Sequence, residues 1–208
     1  KYNYPLMKTL LRALYLVYYC LVAAPLFVVA TILLSTITVV GCALGGQRLF
    51  GYWPGVYWSR IALVLSLCPT RVVGREYIPK DHKPCVVMAN HQGAFDIFLI
   101  YGFLNRNFKW MMKRSLSRVP FVGMACRYSH QIFVDRSSVS RVRETYDEAR
   151  KILHEGMSLM VFPEGARTFT GHMGFFRRGA FALADELQLP VCPLTINGSF
   201  NIMPRMRD

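Results

Sequence analysis

Cys85-Val86-Val87-Met88-Ala89-Asn90-His91-Gln92-Gly93-Ala94-Phe95-Asp96 passes from an apolar run, through a polar turn, into the start of a helix. Between Pro84 and Asn90 the run Cys85–Ala89 reads as a buried strand. Phe95 to Phe103 reads as a helix with Asp96 in its first turn. A strand feeding a helix in this way belongs to an open α/β sheet, and the junction lies at the sheet's carboxyl end, where such folds bind ligands. There the Asp96 carboxylate can accept a hydrogen bond from one ring nitrogen of His91, leaving the other free to take a proton from a hydroxyl. Alone, a His followed five residues later by an Asp is a weak signal. A solvated surface pair would read the same.

Two more strand ends carry the same pattern. Met157 to Phe162 is apolar and runs into Pro163-Glu164-Gly165-Ala166-Arg167-Thr168, and Gln131-Ile132-Phe133-Val134 ends in Asp135-Arg136. Charges gathered at the ends of apolar strands exceed what solvated loops require. Further strands are expected at Arg71–Val73, Phe108–Met112 and Val191–Ile196. The clearest helix is Val139–His154. Ser137 or Ser138 can cap it, Val139, Val142, Tyr146, Ala149 and Leu153 form its apolar stripe, and Gly156 follows its end. A second helix is expected over Phe181–Leu187. Strands alternating with helices predict an α/β fold with a largely parallel sheet flanked by helices.

The front of the chain differs. No Asp or Glu precedes Glu76, although seven Lys or Arg do, and the net charge of the 208-residue chain is +13. From Ala13 to Gln47 there is no charge at all, and ~20 apolar residues suffice to span a bilayer. The length exceeds a signal-peptide core. Pro25 is expected to divide this stretch, while Tyr52–Cys68, with Trp53, Tyr57 and Trp58, reads as a helix at the lipid–water boundary. Basic residues flank both sides (Lys1, Lys8 and Arg12; Arg48 and Arg60), so spanning and half-inserted arrangements both stay open. Residues 1–68 are therefore expected to form membrane-anchoring helices that contribute little to the sheet, and residues 69–208 the α/β domain. A basic, acid-free, apolar front suits an anionic membrane as partner, and no motif points to nucleic acid. The six cysteines lack metal or disulfide spacing and read as small hydrophobes in a reducing compartment, and no cluster of ligands calls for a metal.

These motifs resemble those of the membrane glycerolipid acyltransferases, most closely the bacterial 1-acylglycerol-3-phosphate (lysophosphatidic acid) acyltransferases. Asn90, His91 and Asp96 match the Asn-His-four-residues-Asp block, and Ile132-Phe133-Val134-Asp135-Arg136 matches the apolar Asp-Arg block. Phe162-Pro163-Glu164-Gly165-Ala166-Arg167-Thr168 matches the Phe-Pro-Glu-Gly-Thr-Arg-Ser block, and Leu189-Pro190-Val191-Cys192-Pro193-Leu194 the proline-centred one. Ala166 stands where Thr is usual, and Ser129-His130 stand where Gly usually precedes the second block.

The resemblance implies acyl transfer from a thioester, acyl-CoA or an acyl carrier protein, to the free hydroxyl of 1-acylglycerol-3-phosphate, giving phosphatidic acid. The donor is then a substrate, and no cofactor is expected. His91 is the expected base and Asp96 its orienting partner, with backbone N–H groups near Gly165 or at the start of the Phe95 helix on the oxyanion. Arg136 and Arg167, then Lys113, are the expected phosphate ligands. Glu164 is expected to take the glycerol hydroxyls or to orient an arginine beside Gly165. Arg177 and Arg178, beside Phe175 and Phe176, could meet phosphate or lipid headgroups. The implied setting is the cytoplasmic face of a bacterial inner membrane. Two rival readings remain: a related enzyme acting on another lysolipid or an acylated amino acid, to which the departures at Ala166 and Ser129-His130 point, and a non-catalytic membrane scaffold of the same fold.

Overall fold

The computed structural model describes residues 4–78, 83–135 and 137–206. Helix α1 (Tyr4–Tyr18) passes through a π-turn at Tyr19–Ala23 into α2 (Ala24–Ala43) without a break. Pro25 thus does not divide the segment. It lies in the first turn of α2, directly after the π-turn, where a wider backbone turn absorbs the missing N–H and the ring's crowding of the preceding carbonyl. Leu6–Ala43 is one apolar helix of 38 residues, roughly 57 Å at ~1.5 Å per residue. It is long and apolar enough to cross a membrane.

After α3 (Gln47–Phe50), helix α4 (Trp53–Leu65) packs alongside α2. Trp58 stacks on Phe27 with ring centroids 5.5 Å apart, and its Nε1–H donates to Thr31 Oγ1 at 2.9 Å. The Tyr18 hydroxyl donates to Leu65 O at 3.1 Å. The two form the expected helical pair, yet α4 is more than an anchor. Trp53, Tyr57 and Val64 face outward, but Val56 and the preceding Tyr52 are buried in one cluster with Val87, Phe108 and Met160 of the sheet. The front segment therefore contributes directly to the sheet's core, contrary to the expectation from its composition.

Beyond residue 83 strands and helices alternate: β1 (Val86–Ala89), α5 (Asp96–Phe103), β2 (Phe108–Lys113), α6 (Val122–Tyr128), β3 (Ile132–Val134), α7 (Val139–His154), β4 (Ser158–Val161), α8 (Gly179–Glu186), β5 (Val191–Leu194) and α9 (Ser199–Ile202). The strands are parallel throughout, in the order β3-β2-β4-β1-β5. Arg71–Val73 is not among them. Gly74, at φ 77°, turns the chain into the Arg75–Tyr77 3₁₀ turn, and Val73 is 79% exposed; β-propensity without a ladder partner forms no strand.

Strand alternation sorts the side chains onto two faces. Val87, Ala89, Trp110 and Met160 face α4 and α5, while Val86, Met88, Leu159 and Val161 face α7 and α8. Both α6 and α7 end in Schellman caps, Gln131 N–H to Cys126 O at 2.9 Å and Met157 N–H to Ile152 O at 3.2 Å. Gly156 takes the left-handed position after α7, whereas His130, at φ 54°, takes it after α6. The glycine usual before the second block would sit there without strain. Ser138 caps α7, accepting from Arg141 N–H.

Candidate active site

β1 and β4 are neighbours, with Met88 beside Val161, so the segments following them meet at the carboxyl edge of the sheet. Asn90, buried, extends the pairing of β1 with β5 by side chain: its Oδ1 accepts from Ile196 N–H at 2.8 Å and its Nδ2 donates to Ile196 O at 2.9 Å. The next residue, His91, continues the alternation onto the α4–α5 face. There its ring lies flat on Phe162, centroids 3.8 Å apart and 7° between planes, and Phe162 rests in turn against Trp110.

Asp96 opens α5, and its side chain is wholly buried. A single oxygen, Oδ2, receives His91 Nδ1 at 2.7 Å, Gln92 N–H at 2.7 Å and Gly93 N–H at 3.0 Å, while Oδ1 has no partner among the described residues. A carboxylate facing Nδ1 keeps the proton on that nitrogen, so Nε2 presents a lone pair. The ring is 14% exposed and lines the cavity described below.

Glu164 does something the sequence did not indicate. Its Oε1 accepts from the backbone N–H of His91 at 2.6 Å and its Oε2 from Gly174 N–H at 2.7 Å. Both oxygens are thus engaged by backbone, rather than by an arginine as one reading of the sequence had it. The His91 carbonyl accepts from Thr168 N–H at 2.9 Å. The histidine is therefore fixed at its ring, its amide and its carbonyl.

Gly165 takes φ 75° and donates to Phe162 O. The N–H groups of Ala166 and Arg167, both lining the cavity, meet no acceptor among the described residues. Ahead of α5 those of Gln92 and Gly93 are taken by Asp96 and that of Ala94 by Met203 O, while that of Ile97, a cavity-lining residue in the first turn of α5, also meets no acceptor among the described residues. Ala166 and Arg167 thus carry two backbone donors without acceptors among the described residues, on a turn that lines the cavity, which an oxyanion site needs.

The cavity has a volume of about 1210 Å³. On the α4–α5 face it runs from His91 between Ser35, Thr38, Gly55, Trp58, Trp110 and Cys126, reaching α2. Over the sheet edge it meets Met111, Val142, Tyr146 and Ala180. Lys113, Arg167 and Arg177 line it and make no ion pair among the described residues. Arg114 also lines it but binds Asp135 at 2.8 Å; hydrogen bonds from Ser137 and then the Arg114 charge hold the Asp135 carboxyl below its ordinary range. Arg136 lies outside the described residues. Arg178 does not line the cavity, and Phe175, 99% exposed, points to solvent or lipid.

The structure thus brings His91, Asp96, Lys113, Glu164, Gly165 and Arg167 to one edge. Sequence reading missed the Phe162–Trp110 shelf, the Asn90 clamp and the partner role of Gly174. Only Asn90 carries a signal, as an uncharged polar residue directly after a buried strand.

A family description, Acyltransferase, matches residues 69–197. The chain is 36% identical over 149 residues to a 1-acyl-sn-glycerol-3-phosphate acyltransferase of Pseudomonas aeruginosa, covering 67% of this chain and 55% of that one. Against the Saccharomyces cerevisiae protein of the same name it is 30% identical over 167 residues, covering 78% and 54%. The crystal structure of the 1-acyl-sn-glycerophosphate (LPA) acyltransferase PlsC from Thermotoga maritima superposes with a TM-score of 0.77 at 25% identity, over 96% of this chain and 79% of that one. The chain spans about half the length of the first curated relatives it matches, 48%, 45% and 44%.

Proposed function

The chain belongs to the acyltransferase family, and from that membership we propose that it transfers a fatty acyl group from a thioester to the free hydroxyl of 1-acylglycerol-3-phosphate. The observation that carries the reading is the buried Asp96 carboxylate 2.7 Å from Nδ1 of a histidine that lines a largely apolar cavity. His91 Nε2 takes the proton of the acceptor hydroxyl as its oxygen attacks the thioester carbon. Negative charge gathers on the carbonyl oxygen, where the Ala166 and Arg167 N–H groups stabilise it. Collapse breaks the C–S bond, and the imidazolium returns its proton to the departing thiolate. Because the oxyanion donors are backbone, Ala166 in place of the usual Thr leaves this step untouched. A thioester is already activated, so no enzyme nucleophile is needed.

Lys113 and Arg167, two of the described cations that line the cavity without an ion pair among the described residues, hold the acceptor's phosphate in this reading, with Arg136 a further ligand. The arm of the cavity toward α2 takes an acyl chain, and residues 1–68 hold the site at the membrane from which the acceptor comes. A silent scaffold would have no physical use for a buried carboxylate aimed at a half-buried imidazole. The reading is tested by incubating purified protein with lysophosphatidic acid and either acyl-CoA or an acylated carrier protein, following released thiol and phosphatidic acid. Equal turnover of lysolipids lacking the phosphate would defeat the acceptor assignment. Arg167→Ala is expected to raise the KM for lysophosphatidic acid about tenfold or more, since a charge-assisted contact contributes ~1.5–3 kcal/mol, while leaving the donor KM unchanged.

Glu164 positions rather than reacts. Glu164→Gln keeps one oxygen and turns an amide N–H toward a backbone donor, so one of the two bonds holding the His91 loop is lost. Turnover is expected to fall on the order of 10–100-fold, the scale of an ångström-sized misplacement, with both KM values little changed. Initial rates beside a thermal melt check this, and a wild-type kcat would remove Glu164 from the positioning of His91.

A further inference from the structure

Past His91 the cavity crosses the carboxyl edge of the sheet onto the face opposite α4 and α5. Met111, Val134, Val142, Tyr146, Val161 and Ala180 line this second arm, which lies between the first turns of α7 and α8. A glycine lets Tyr146 reach α8 beside this arm: a Cβ on Gly179 would overlap the Tyr146 hydroxyl. That hydroxyl makes no hydrogen bond among the described residues. Arg177, exposed and without an ion pair there, stands at the mouth just ahead of α8.

We propose that this arm receives the phosphopantetheine arm of the thioester donor, with Arg177 at its phosphate. The inference rests on the acyltransferase reading above and adds the donor's route. In a thioester the acyl chain and the sulfur-bound carrier leave the carbonyl carbon on opposite sides. With the carbonyl beside His91 and the acyl chain in the arm toward α2, the carrier has to continue over the sheet edge. The surroundings of the two arms agree with this division. The first arm is walled by α2 and α4, the long apolar helix and its neighbour, so lipid chains reach it from the bilayer. The second lies on the face away from that helix, where a water-soluble carrier approaches.

The lining also fits. Phosphopantetheine is narrow, with methyl and methylene stretches broken by amides and a phosphate at its end. The arm is mainly apolar, offers the free Tyr146 hydroxyl to an amide, and has an unpaired guanidinium at its rim. Its one lining carboxylate, Asp135, is already engaged by Arg114 and Ser137, so it does not repel the phosphate.

Two substitutions in the full chain, purified in detergent, test the assignment. Val142→Trp narrows the arm, and Arg177→Ala removes the rim cation at an exposed position where folding is not at stake. Each is expected to raise the KM for acyl-CoA by on the order of tenfold, leaving the KM for lysophosphatidic acid unchanged. An acylated carrier protein should show the same rise, since it presents the same arm, whereas an acyl ester of N-acetylcysteamine, which has no phosphate, should be indifferent to Arg177→Ala. Donor KM values at the wild-type level in both variants would overturn the proposal, as would a rise confined to the acceptor KM or to acyl-CoA alone. Calorimetric binding of free coenzyme A reads the arm without any transfer. A wild-type protein that binds it, loses it on Val142→Trp and acylates no lysolipid would count against the reaction while supporting the arm. Undiminished binding in both variants would count against the arm itself.

Discussion

His91→Ala is expected to lower turnover by on the order of 10²–10⁴-fold, the usual cost of losing a positioned general base. The protein should stay folded and lipid-associated. The His91 ring is not a keystone of the core: it lies on Phe162 at the cavity wall, 14% exposed, and the apolar clusters on either face of the sheet close without it. The backbone bonds from His91 N–H to Glu164 and from Thr168 N–H to His91 O survive the truncation. Oxyanion donors and substrate alignment also survive, so a residual rate above the uncatalysed one should remain. The check is kcat on lysophosphatidic acid beside a melting curve and vesicle flotation. Near-normal turnover in a clean preparation would end the mechanism.

Asp96→Asn is expected to give a loss of similar size through a different step. All three donors converge on Oδ2 and none on Oδ1. The asparagine will therefore place its oxygen where Oδ2 stood, keeping the Gln92 and Gly93 bonds and the ring in place. Its NH₂ then occupies the buried, partnerless site of Oδ1, at a cost of ~1–3 kcal/mol to stability. What disappears is the negative charge facing the imidazolium that forms when Nε2 takes the proton. Binding should change little, so the loss should appear in kcat rather than in either KM. A variant with wild-type kcat and a modestly lowered melting temperature would reduce Asp96 to a structural loop anchor.

Much of this was written locally. The strand ahead of Asn90, the apolar runs ending at Phe162 and Val134, and the cap, stripe and stop of helix 139–154 each follow from a few consecutive residues, and each stands in the fold at or within a residue or two of its expected bounds. The alternation of strand and helix was enough for a parallel sheet. The pairing of His91 with Asp96 was legible for the same reason: one strand end and one helix start lie five residues apart, and a short turn leaves their side chains few places to go.

What failed to show in the sequence depended on neighbours distant along the chain. Arg71–Val73 has β-branched residues but no strand to pair with. Pro25 has the chemistry of a break, yet the π-turn before it lets the helix continue. Tyr52 and Val56 read as an interfacial helix because composition cannot say which face meets Phe108 and Met160. Glu164 read as a group for a substrate, because nothing local announces that the His91 and Gly174 amides will reach its two oxygens.

The sequence by itself determined the class of fold, the long uncharged apolar front and the closeness of His91 to Asp96, since periodicity, length and short-range spacing are properties of contiguous chain. Only the tertiary structure decided that β4 lies next to β1, and with that everything brought together across the sheet edge: the Phe162 shelf under His91, the Glu164 clamp, the donors at Ala166 and Arg167, and a cavity opening on both faces. Strand order is set by how whole helices and strands pack their apolar faces, a choice made over the entire core that no single segment encodes.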